Sequence, residues 1–186
     1  IYDKWDWNIK YPVIKIVFGD GFIDSKEKLH STFKSILRNA CQDNHVTYED
    51  LQNDSYELKF SELIRILAEK TWRQVVVLVD EYDKPLLDKI EDPTMVAEIR
   101  DELKGFYSVI KWADEYLKFV MLTGVTKFSK VSVFSGLNNL QDITLNKTYN
   151  GICGYTYDEI LSNFWPEGYL EWVDLEQMKS WYNGYS

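Results

Sequence analysis

Apolar residues along this chain follow two different spacings. Val75-Val76-Val77-Leu78-Val79 is an unbroken run, the pattern of a strand buried on both faces of a parallel sheet. It stops at two adjacent carboxylates, Asp80 and Glu81. Earlier, Tyr11-Pro12-Val13-Ile14-Lys15-Ile16-Val17-Phe18 predicts a strand begun after a proline and ended by Gly19-Asp20-Gly21. Between the two strands the period changes. Ser25 opens a helix whose apolar positions Leu29, Phe33, Ile36, Leu37 and Ala40 recur at steps of three and four. Residues 43–54 are polar and rich in Asn and Asp, a loop. A second helix over 56–71 turns Phe60, Leu63, Ile64 and Leu67 inward.

The alternation continues downstream. Tyr82-Asp83-Lys84-Pro85 predicts a turn, and Asp92-Pro93 the start of a long helix with the stripe Val96, Ile99, Leu103, Phe106 and Ile110. Leu117 to Thr123 is another apolar strand, closed by Gly124. Asp142-Ile143-Thr144-Leu145 predicts a further short strand. Thr156-Tyr157-Asp158-Glu159 is a capping-box pattern for a helix over 157–163. Leu175, Met178 and Trp181 predict a last helix, stopped at Asn183-Gly184. Strands alternating with helices argue for an α/β fold with a mostly parallel sheet. The sheet-bearing core is expected over residues 1–150 and a small C-terminal helical segment over 151–186.

Composition narrows the possibilities. The 186 residues suffice for one domain with a real core. Aromatics make up 16%, and most lie inside periodic apolar segments, so core packing is favoured over a stacking platform. Trp5, Trp7, Trp165 and Trp181 are likewise expected to pack. A net charge of −9 argues against a nucleic-acid surface, though a local basic patch stays open. No apolar run reaches the length of a membrane span. Cys41 and Cys153 stand far apart, as do His30 and His45, so no disulfide framework or zinc site is indicated. The expected setting is the reduced cytoplasm. The chain begins at Ile1 and enters at once into Trp5-Asp6-Trp7, which suggests a piece of something longer.

The chemistry concentrates at strand tips. Asp80 and Glu81 emerge at the carboxyl end of a strand, the edge where open α/β sheets bind ligands. A buried strand ending in solvated charges would look the same in isolation. A second tip strengthens the case. Thr123 ends the next strand, and a right-handed crossover brings both tips to one edge of the sheet. Its β-branched side chain would suit a strand in any event. Lys127, Ser129, Lys130, Ser132 and Asn138 follow in a polar loop, as fit for a solvated surface as for contact with a ligand. Asp83 and Lys84 are expected to shape the turn into Pro85.

Four strings are long enough to be specific: Val77-Leu78-Val79-Asp80-Glu81-Tyr82-Asp83-Lys84-Pro85-Leu86, Phe106-Tyr107-Ser108-Val109-Ile110-Lys111, Leu122-Thr123-Gly124-Val125-Thr126-Lys127-Phe128-Ser129-Lys130, and Trp181-Tyr182-Asn183-Gly184-Tyr185-Ser186. They resemble the AAA-ATPase-like family of bacterial proteins, over nearly the whole chain. The resemblance implies part of a three-layer P-loop NTPase fold, from an ATPase domain usually followed by a restriction-endonuclease-like nuclease domain. It implies that Asp80 is the magnesium-associated Walker B acid, Glu81 the catalytic carboxylate and Thr123 the sensor. Mg2+ and ATP are the implied cofactors of the full-length protein.

The phosphate-gripping motif G-x-x-x-x-G-K-[ST] is not among the 186 residues, and none of the nine glycines precedes a Lys-Ser or Lys-Thr pair. Without its N–H cradle and Lys, nothing neutralises the terminal phosphates. The piece alone is therefore expected to bind neither ATP nor Mg2+. Its expected partners are an upstream Walker A segment and a nuclease domain downstream. With the P-loop strand missing beside it, the Leu117–Thr123 strand should be an apolar edge that favours a homo-oligomer. An interaction module on an ATPase scaffold is the alternative. A nuclease site is weaker, since no third carboxylate or Lys stands at nuclease spacing.

Overall fold

The computed structural model describes residues 6–19, 21–125, 133–134, 136–149, 151–152 and 154–182. They fall into two compact units, Ile1–Asn139 and Leu140–Ser186. The first carries the sheet. Its elements are β1 (Val13–Val17), α1 (Lys26–Asp43), α2 (Tyr56–Thr71), β2 (Val75–Asp80), α3 (Lys84–Leu87), α4 (Pro93–Trp112) and β3 (Leu117–Leu122). The second holds α5 (Tyr157–Asn163) and α6 (Leu175–Tyr182).

Each long helix begins where its cap places it. The side chains of Ser25, Ser55 and Asp92 accept hydrogen bonds from Lys28, Leu58 and Thr94 N–H respectively, at 3.2, 3.4 and 3.1 Å. These bonds satisfy first-turn donors that have no partner inside the helix. Pro93 then occupies the first turn of α4, where its missing N–H is harmless.

Among the described residues the sheet has three parallel strands in the order β1-β2-β3, with Ile14 opposite Val77 and Val77 opposite Val120. Strands laid side by side in chain order, joined by right-handed crossovers, put their helices on one face. Burial alternates accordingly. Ile14, Ile16, Phe18, Val75, Val77 and Val79 are buried, whereas Lys15, Val17 and Phe119 on the opposite face are exposed. The expectation that 75–79 is buried on both faces is corrected here. Val76 and Leu78 are only half-buried because no described helix of this unit covers their side.

The core lies between the sheet and α1, α2 and α4. Phe106 of α4 stacks on Phe33 of α1 at 4.3 Å and on Phe60 of α2 at 4.9 Å, with interplanar angles of 9° and 14°. Phe18 and Tyr107 meet edge to face beside them. Phe18, Phe33, Phe60 and Phe106 therefore pack as expected, but the Trp side chains do not. Trp7, Trp165 and Trp181 are exposed, as are Trp72, Trp112 and Trp172, and Trp5 lies outside the described residues.

In the second unit, Thr156 and Glu159 close the anticipated capping box at the start of α5. The anticipated strand at 142–145 is absent. Instead the Asp142 carboxylate accepts the Thr144 N–H at 3.0 Å, a local turn that competes with strand pairing. Leu170 is this unit's one buried apolar residue among those described. The anticipated stop at Asn183-Gly184 and residue Cys153 lie outside the described residues.

Candidate active site

The carboxyl edge of the sheet gathers the side chains singled out at the strand tips. Parallel register continues past β2 and β3, so Asp80 and Thr123 emerge side by side. The Thr123 N–H donates to the Val79 carbonyl at 2.8 Å, and its hydroxyl donates to Asp80 Oδ1 at 2.5 Å. Both residues are exposed at this edge. A hydroxyl tied to a strand-tip carboxylate fixes one oxygen of that carboxylate in orientation.

Glu81 goes elsewhere. Its backbone sits at φ 54°, in the left-handed region that side chains other than glycine's rarely occupy. That twist sends the carboxylate toward the end of β1, where a Cβ added to Gly19 would stand 3.0 Å from Glu81 Oε2. The two neighbouring acids thus diverge, Asp80 toward β3 and Glu81 toward β1. Gly19 leaves the space that Glu81 occupies.

Sequence reasoning missed the role of Asp83. It is buried, and its two carboxylate oxygens accept the Val125 N–H at 3.2 and 3.0 Å. The signal available in the sequence was Gly124 directly after an apolar strand: a Cβ there would come within 2.4 Å of the Tyr82 ring. Lys84 pairs with Asp88 at 2.6 Å, a contact along its own helix. Of the polar loop, Lys127, Ser129, Lys130 and Ser132 lie outside the described residues.

Other titratable groups have structural explanations. Cys41 is buried in the core, and that burial pushes its thiol up to about 11, which disfavours the thiolate. Glu102 of α4 takes Lys26 and His30 of α1 at 2.5 and 2.7 Å. Burial alone would raise its carboxyl, but the hydrogen bonds from Lys26 and His30 outweigh burial and hold it below the ordinary value of 4.5.

Among the described residues no group of three or more His, Cys, Asp or Glu could hold a metal ion. Magnesium, however, is commonly held by one or two protein oxygens together with substrate phosphates and water. Asp80 and Thr123 offer hard oxygen donors of that kind, so the residues present fit such an ion. No described helix is long and apolar enough to cross a membrane.

A three-stranded parallel α/β core with an acid and a hydroxyl at adjoining strand tips is consistent with a partial P-loop-like fold. A family profile described as predicted AAA-ATPase matches residues 2–134, and the chain belongs to this AAA-ATPase-like family. A protein of Azotobacter chroococcum mcd 1, described as an uncharacterized protein in the vnfD 5' region, is 43% identical to it over 186 residues. The match takes in 100% of this chain and 35% of that relative, so the chain spans about a third of the relative's length. No solved structure matches it.

Proposed function

We propose that this chain is the Walker B and sensor half of a magnesium-dependent ATPase domain, which binds and hydrolyses ATP within a longer polypeptide. The Asp80–Thr123 pair at the carboxyl edge carries the proposal, and membership of an ATPase-like family supports ATP and Mg2+ as its cofactors in general. When bound, magnesium would offset phosphate charge and order water at that edge. Asp80 accepts hydrogen bonds from water around the ion. Thr123 holds Asp80 in orientation and senses the terminal phosphate. Glu81 acts as general base, taking a proton from the attacking water onto a carboxylate oxygen. For this its side chain must swing away from Gly19.

A phosphate-gripping loop upstream, its strand paired with β3, supplies the cradle and the Lys in this scheme. A nuclease domain downstream is the second proposed partner. The seat of the Glu81 carboxylate beside Gly19 favours one other reading: an ATPase scaffold kept for protein recognition, without turnover.

Glu81→Gln in the full-length protein separates the two. Removal of a general base lowers kcat by about 10²–10⁴-fold, while ATP binding measured by calorimetry should stay intact. No turnover in the wild-type protein would leave the scaffold reading standing, and turnover unchanged by Glu81→Gln would remove Glu81 as the base.

A further inference from the structure

Among the described residues, Asp83 is the one charged side chain that is wholly buried. Removing a carboxylate from water is strongly unfavourable unless hydrogen bonds replace the lost solvation. Asp83 occupies the N-cap position of α3, where its carboxylate would ordinarily serve the helix, yet it makes no capping bond there. Its oxygens reach across forty-two residues to the Val125 N–H instead.

That contact begins where the β2–β3 ladder ends. The Thr123 N–H donates to Val79, and the Tyr82 N–H donates to the Thr123 carbonyl at 3.0 Å. β2 then turns away into α3, and the Asp83 carboxylate takes the place that a strand carbonyl would have held. Gly124 lets the two segments close, since a Cβ there would lie 2.7 Å from Asp83 Oδ1 and 2.4 Å from the Tyr82 ring. Beneath them, the buried Tyr107 hydroxyl donates to the Tyr82 carbonyl at 3.4 Å. Burial, reinforced by the charge of Asp83, raises that phenol well above its ordinary 10, so it remains a donor. Thr123, Gly124 and Val125 are themselves exposed. Hydrogen bonds therefore do the positioning that packing cannot.

We propose that Asp83 is a positioning residue that anchors the Thr123-Gly124-Val125 segment and so sets the Thr123 hydroxyl against Asp80. This deepens the ATPase reading and rests on it. Misplacing a catalytic group by about 1 Å costs up to about 10²-fold in rate. In the full-length protein, Asp83→Ala should lower kcat about 10–100-fold with KM for ATP unchanged. Asp83→Asn, which keeps an acceptor for the Val125 N–H, should restore most of the rate. Combined with Thr123→Ala, Asp83→Ala should add no further loss, because both changes act through one hydroxyl.

Hydrogen exchange by mass spectrometry on the same proteins reads the anchor directly. The peptide containing Val125 should be protected in the wild type and in Asp83→Asn, and unprotected in Asp83→Ala. Unchanged kcat in Asp83→Ala, or losses that multiply in the double variant, would overturn the positioning role. A purely structural Asp83 would lower the melting temperature without that coupling. Wild-type protein without turnover would remove the ATPase reading and the catalytic half of the proposal, whereas an unprotected wild-type Val125 would remove the anchor alone.

Discussion

Trp72 and Glu81 both sit at φ 54°, and the contrast between them is informative. Holding an L side chain in the left-handed region costs on the order of 1 kcal/mol. Trp72 caps the C-terminus of α2 at a position that favours glycine, and its side chain is 92% exposed. Little packing offsets the strain. Trp72→Gly should therefore raise the unfolding free energy by about 0.5–1 kcal/mol in urea titration, because relief of strain exceeds glycine's extra backbone entropy. Glu81 carries the same strain beside the Asp80–Thr123 pair, and there the twist does something: it parts two adjacent carboxylates. Asp80 and Thr123 were legible in the sequence because strand register alone brings consecutive tips together. The direction of Glu81 was not, since it depends on one backbone angle. The anchor at Asp83 was equally hidden, because its partner is a backbone N–H that carries no residue identity.

At the scale of elements, the long helices were readable from apolar spacing and cap residues, and both signals are local. The short α3 was missed because Lys84-Pro85 looks like a turn, and a four-residue helix has too few positions to show a period. The strand expected at 142–145 failed for a related reason: β-branched residues favour strands only when a partner is present, and Asp142 bonds its own neighbour first. Contacts between helices decide stability more than their individual propensities. Phe106 joins three helices through its stacks on Phe33 and Phe60. Phe106→Ala should lower the unfolding free energy by about 3–5 kcal/mol, measured by urea denaturation. Against the 5–15 kcal/mol typical of a domain, that is a large share. A loss under 1 kcal/mol would show that the helical layer repacks around the gap.

At the largest scale, the described helices of the first unit lie on one face of its sheet. Among the described residues β3 is an edge strand, and Phe119 on the face away from the helices is 54% exposed. Unpaired apolar edges associate, so we expect the 186-residue chain to form oligomers through β3. Sedimentation velocity should show concentration-dependent association, and Phe119→Lys should shift it toward monomer. A compact monomer at all concentrations would refute this. The 43% identical relative is about three times as long.

The spatial order of the strands, β1-β2-β3, is also the order in which a ribosome makes them. Each strand can dock on a neighbour already synthesised, so the core can grow vectorially behind the exit tunnel. Val125 is the last group of the Asp83 latch to emerge. The Thr123-Gly124-Val125 segment would then gain its anchor on Asp83 only once translation has passed Val125.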